Sequence, residues 1–163
     1  MSRRRLLILI ADGEHGRLVR PAADNTLRTE SALDSILAHR RAADLTADRP
    51  GASFHSGASA HHAETPRHDA HALAKESFAA ALADHLSQTE AAGGFDDLVL
   101  VAPVPVLAAI RQHLGDGASR RVIGTLEKDL IKVPDRALSS HLAAWVRPVR
   151  DRRGPGAAVE GGG

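Results

Sequence analysis

The side chains with the most chemical potential are crowded into one stretch. His61, His62, Glu64, His68, Asp69 and His71 fall within eleven positions, and His55 lies just upstream. Imidazole and carboxylate are the groups that ligate zinc and similar ions. His68 and His71 are three apart, a spacing that puts both on one face of a helix. The stretch holds no His-Glu-x-x-His and no other standard ligand spacing, so no tight metal site is expected. His71 and His85 also share a face with Phe78, but a rise of ~1.5 Å per residue sets them about 21 Å apart, too far for one ion. His85 reads instead as a histidine at the edge of the core.

Other chemistries have less to stand on. Gly51 and Gly57 suggest a phosphate cradle, yet the stretch lacks the lysine and the glycine spacing of a P-loop. Asp12-Gly13-x-x-Gly16 follows a strand but precedes another strand rather than a helix, so the dinucleotide fingerprint is absent. Ser53, Ser56 and Ser59 lie among histidines without a Gly-x-Ser-x-Gly elbow. The chain has no cysteine, which removes thiolate ligands, cysteine nucleophiles and disulfides. No cofactor is expected, and the balance leans away from an enzyme. Three basic groups remain: Arg3-Arg4-Arg5; Arg120-Arg121 with Lys128 and Lys132; and Arg147, Arg150, Arg152 and Arg153. Each can touch phosphates nonspecifically. A net charge of +1 does not by itself point to nucleic acid, and no interleaved aromatic set accompanies these groups.

The elements that must position the histidine stretch can be read from periodicity. Leu6 to Ala11 is continuously apolar, as in a central strand buried on both faces. The run is six residues, too short for a signal core or a membrane span, and points to a cytosolic protein. After the Asp12-Gly13-Glu14 turn, His15 to Arg20 alternates as a second strand, and Leu27, Thr29, Ser31 and Leu33 suggest a third. A long polar loop covers 48–64. Such a loop in a small domain is functional or disordered. The clearest helix starts near Thr65-Pro66 and carries Ala74, Phe78, Leu82 with Ala81, and Leu86 with His85 as its apolar stripe, up to Gly93-Gly94. Asp96-Asp97 is a turn into Leu98–Ala102, a second strand buried on both faces. Pro105 opens a helix with Leu107, Ile110 and Leu114, which Gly115-Asp116-Gly117 ends. Arg121 to Leu126 is a short strand, and a last helix starts near Pro134-Asp135 with Leu138, Leu142 and Trp145 on one side. The fold class is therefore α/β: a mixed sheet of about five strands, an antiparallel meander followed by strand–helix units, with about three packing helices. Residues 1–146 form one domain, and the Arg-, Gly- and Pro-rich 147–163 reads as a disordered tail.

Several segments taken in order carry a resemblance. They are Ile10-Ala11-Asp12-Gly13; Asp48-Arg49-Pro50-Gly51 with Ser53-Phe54; Glu64-Thr65-Pro66-Arg67 and Asp69-Ala70-His71; Phe95 to Pro103; and Leu126-Glu127-Lys128-Asp129-Leu130-Ile131-Lys132. This set resembles the bacterial host attachment protein family, over roughly residues 4–142. That family in turn resembles the middle domain of archaeal and eukaryotic class I release factors, whose corresponding loop carries a Gly-Gly-Gln motif for peptidyl-tRNA hydrolysis. The loop here has no Gly-Gly pair and no glutamine; Gln88 and Gln112 fall in predicted helices. The resemblance thus implies a fold and a binding role. Its first implication is a non-enzymatic module acting on a macromolecular partner through Asp48, Arg49, Pro50, Gly51, Ser53, Phe54, His55, His61, His62, Arg67, His68 and His71. Its second is a translation-linked factor approaching ribosome or tRNA.

Overall fold

The computed structural model describes residues 3–35 and 67–147. The long loop, the ambiguous residues after Ser35 and the tail beyond Arg147 lie outside the described residues. Five strands form one sheet: β1 (Leu6–Ala11), β2 (His15–Pro21), β3 (Leu27–Asp34), β4 (Asp97–Val101) and β5 (Val122–Leu126). Among the described residues four helices accompany them: α1 (Arg67–Ala91), α2 (Val104–His113), α3 (Asp116–Arg120) and α4 (Asp135–His141). The strand order is β3-β2-β1-β4-β5. β1 pairs antiparallel with β2 and parallel with β4; β2 pairs antiparallel with β3, and β4 parallel with β5. The sheet is mixed, as the meander followed by crossovers requires.

The two apolar runs lie side by side in the sheet interior and bury residues on both faces, as does β2 to a lesser extent through Leu18 and Val19. Leu7, Leu9 and Ala11 of β1, with Leu98, Leu100 and Ala102 at β4, pack under α1, α2 and α3. The alternate residues Ile8, Ile10, Val99 and Val101 pack under Leu130, the α4 residue Leu138, Leu142 and Val146. Each Leu, Ile or Val among them contributes about 1.5–3 kcal/mol on burial, so these two strands hold both helical layers to the sheet.

Three local expectations are corrected. α2 stops at His113, and Gly115 does not lead into a loop but caps a further helix, α3, which raises the helix count to four. The Gly115 N–H donates to Ser87 Oγ at 2.9 Å, and Ala118 is buried, so packing against α1 rewards the extra turn. In α1, Ala81 is exposed; Ala79 and Ala83 are the small residues that pack beside Phe78, Leu82 and Leu86. β3 alternates in sequence, yet Arg28 to Ala32 are all exposed, and Leu27 is its fully buried residue. A polar strand at the sheet edge offers no apolar face for an intruding chain to extend.

Candidate functional site

The described residues on either side of 36–66 approach one end of the sheet. β1 and β3 both run toward that end, where the Asp12–His15 turn lies. The turn is locked by its own first residue: Asp12 Oδ1 accepts from the Glu14 N–H at 2.8 Å and the His15 N–H at 2.6 Å. Aspartate favours this local arrangement because its short side chain reaches backbone donors two and three residues on. The turn then ties down both flanks of the segment. The Ser35 N–H donates to the Glu14 carbonyl at 2.8 Å, fixing the end of β3. On the other side, the stem of Lys75 in α1 lies over Gly13 so closely that an added Cβ would meet three of its carbons at 3.0 Å. Gly13 thus serves as the seat of α1 as well as a turn residue.

The register of α1 follows from that packing. Position 75 lies beside the turn, so residues 67–74 extend past it by about 12 Å at ~1.5 Å per residue. From Ala70 onward the burial agrees: only Ala74 is partly covered before Phe78, which is buried. Leu73 is 65% exposed. His71 is exposed on this projecting part, and Arg67 and His68 lie in its first turn. His85 is half-buried at the core edge. Asp48, Arg49, Pro50, Gly51, Ser53, Phe54, His55, His61 and His62 lie outside the described residues.

Beside the turn, a groove of roughly 410 Å³ is bounded by His15, Arg17, Leu33, Asp34, Ile131 and Lys132, among others. Sequence reading passed over Arg17, which organises this corner. On β2 it shares a face with the fully buried Val19, so the guanidinium points into the sheet's covered side. It donates to Asp135 Oδ1 at 3.1 Å, to the Leu130 carbonyl at 2.7 Å, and to the Val133 carbonyl. Its Nε is buried without a hydrogen-bond partner. Burial pulls Arg17 below its ordinary value while Asp135 acts in the opposite sense; an arginine stays cationic regardless. Burial pushes the Asp135 carboxyl up, but Thr29, donating from both hydroxyl and backbone, and the Arg17 charge outweigh it, and the net shift is downward. The one signal in the sequence was parity, since a charge in phase with the apolar side of a strand must find buried partners.

Among the described residues, no three histidine, cysteine or carboxylate side chains gather as a metal would need, and no helix is long and apolar enough to cross a membrane. What the site offers is a braced projection: a turn, two tethered flanks and a helix that reaches beyond the core.

A family model described as "Protein required for attachment to host cells" matches residues 7–142. The chain belongs to this host attachment family. The match runs from the second residue of β1 to Leu142, just after α4, and includes the 36–66 segment. No curated protein matches the chain at a significant level.

Proposed function

We propose that this host attachment family member is a non-enzymatic cytoplasmic binding module that recognises a macromolecular partner through residues 48–71. The observation that carries the reading is the contact of Ser35 and Lys75, on either side of the segment, with the Asp12–His15 turn, with the exposed α1 residues 70–73 reaching past it. A helix whose residues 70–77 are almost all exposed gains little stability from packing there, so its length is better accounted for by presentation. The test is affinity capture from lysate with the full chain and with a variant lacking residues 52–63, both checked for fold by circular dichroism. A partner retained by the full chain and lost by the shortened variant supports the reading; equal retention by both rejects it.

The second reading makes that partner ribosomal or transfer RNA. It is favoured by the element order, a strand meander, a long helix and then strand–helix units, which the release-factor resemblance implies. Sedimentation with ribosomes across a salt series separates the two. Binding to RNA phosphates weakens steeply with salt through counterion release, and no co-sedimentation at low salt removes the RNA reading.

A further inference from the structure

The opposite end of the sheet, where β1 and β4 begin, gathers basic residues from both ends of the described chain. Arg3 and Arg4 line one groove together with Trp145 and Arg147, and an adjoining groove with Arg5 and Arg20. The two grooves have volumes of roughly 190 and 360 Å³ and share Arg3, Arg4, Leu6 and Pro21. Arg3, Arg4 and Arg147, far apart in the sequence, therefore share one surface.

That surface is held in place by a single turn residue. Asn25, between β2 and β3, has φ of 64°, a left-handed conformation that asparagine tolerates better than most residues. Its Oδ1 accepts from Arg3, and its Nδ2 donates to the Arg147 carbonyl at 3.0 Å. Arg3 also donates to the Ala23 carbonyl at 3.3 Å.

The arginines divide into two kinds. Arg4 is forked onto Asp97 at 2.9 and 2.7 Å, Arg5 lies 3.5 Å from Asp96, and Arg20 lies 2.9 Å from Glu30. Arg3 and Arg147 have no carboxylate partner among the described residues, and Arg3 is aligned by neutral acceptors alone. Two uncompensated guanidinium groups thus flank a concave surface. The half-buried Trp145 and Ile123, 51% exposed, line the same groove. Arginine forks match phosphate geometry, and an apolar or aromatic wall beside them suits an unstacked base. A lipid headgroup layer is flat and is met by a convex basic or amphipathic face, whereas this surface is recessed.

We propose that these joined grooves bind single-stranded nucleic acid, with Arg3 and Arg147 holding backbone phosphates and Trp145 and Ile123 packing on a base. The surface lies away from the 36–66 flanks, so the proposal stands apart from whatever residues 48–71 recognise.

Trp145 is the only tryptophan in the chain, so its fluorescence reports occupancy directly. The experiment titrates the full chain with an oligouridine of about twenty nucleotides at low and moderate salt. Quenching of Trp145 is expected, with affinity at least tenfold weaker in the double variant R3E/R147E and a salt slope smaller by ~0.7 for each phosphate no longer neutralised. R3K/R147K should keep most of the binding. A variant with Arg150, Arg152 and Arg153 all changed to Gln, with Arg3 and Arg147 kept, must retain most of the binding; its loss there makes the tail the source and overturns the proposal. If the double reversal unfolds the chain, R147Q removes one exposed charge and carries the same test. Absence of quenching at low salt overturns the proposal. So does equal affinity in wild type and R3E/R147E, or binding to phosphatidylserine vesicles in place of the oligonucleotide.

Discussion

Arg17 on β2 and Asp135 at the start of α4 are joined at 3.1 Å across the sheet, and the same guanidinium holds the carbonyls of Leu130 and Val133. Asp135 in turn accepts from the Thr29 hydroxyl at 2.6 Å and the Thr29 N–H at 2.8 Å. One ion pair therefore ties β2, β3, the 130–133 segment and α4 together. The side chain of Arg17 is only 12% exposed, so its loss leaves carbonyl groups and a carboxylate without their donor. Arg17→Met should lower stability by about 2–3 kcal/mol, in the range for hydrogen bonds to charged groups. Urea unfolding of R17M, D135N and the double variant checks this. The double variant should fall well short of the summed single losses, because each single change already breaks the shared network.

Trp145 lies across Gly124 of β5, so that a Cβ built on the glycine would meet the indole at 2.3 to 2.5 Å. No rotamer adjustment of a methyl group relieves such an overlap; the ring has to move. Gly124→Ala should destabilise the fold by about 1–3 kcal/mol, the usual cost of overpacking, and shift the Trp145 emission toward that of an exposed indole. Pairing it with Trp145→Ala should recover most of the loss that G124A adds, which denaturant midpoints of the four proteins would show.

Acid should unfold the domain through identifiable carboxylates. The Arg4 side chain, by its hydrogen bonds and then its charge, holds Asp97 below the ordinary carboxylate range against the opposing effect of burial. Asp135 is also depressed. A carboxyl whose folded pKa is depressed adds stability above its unfolded value of about 3.9, and that stability is lost as pH falls through the folded value. Stability should be level from neutral pH down to about 5 and drop below about 4. The drop should be shallower in D97N, as measured by thermal unfolding across pH.

Residues 48–71 carry Arg49 and Arg67 against Asp48, Glu64 and Asp69, with five histidines beside them. Protonation of the histidines turns a slightly negative segment strongly positive. Imidazole ordinarily protonates at about 6.5, so affinity of this segment for an acidic or phosphate-bearing partner should rise between about pH 7.5 and 5.5. NMR titration of the ring protons with binding measured in parallel follows both. Binding that stays flat across this window rejects the charge switch.

The sheet could be read from the sequence because its two central strands announce themselves: Leu6–Ala11 and the Leu98–Ala102 run are apolar at every position, and only an interior strand needs that. α3 was missed because Gly115-Asp116-Gly117 has the chemistry of a stop. What turns it into a helix start is Ser87, twenty-eight residues earlier, reaching Gly115 from α1. Arg17 was missed for a similar reason, as its partners lie more than a hundred residues away. The union of Arg3 with Arg147 depends on a turn asparagine that nothing in either arginine group signals. The site histidines were legible only as composition; the two tethers that frame them, Glu14 to Ser35 and Gly13 to Lys75, are long-range pairings that periodicity does not report.

The central claim is that the end of α1 and the segment before it face a partner. A photo-crosslinking amino acid placed at His71, exposed beyond the turn, tests it most directly against one at Glu30 on the exposed edge strand β3. The account predicts a discrete crosslinked species from position 71 in cells, absent from position 30 and absent from position 71 when residues 52–63 are removed. Crosslinks of equal yield from both positions, or none from position 71, would contradict it.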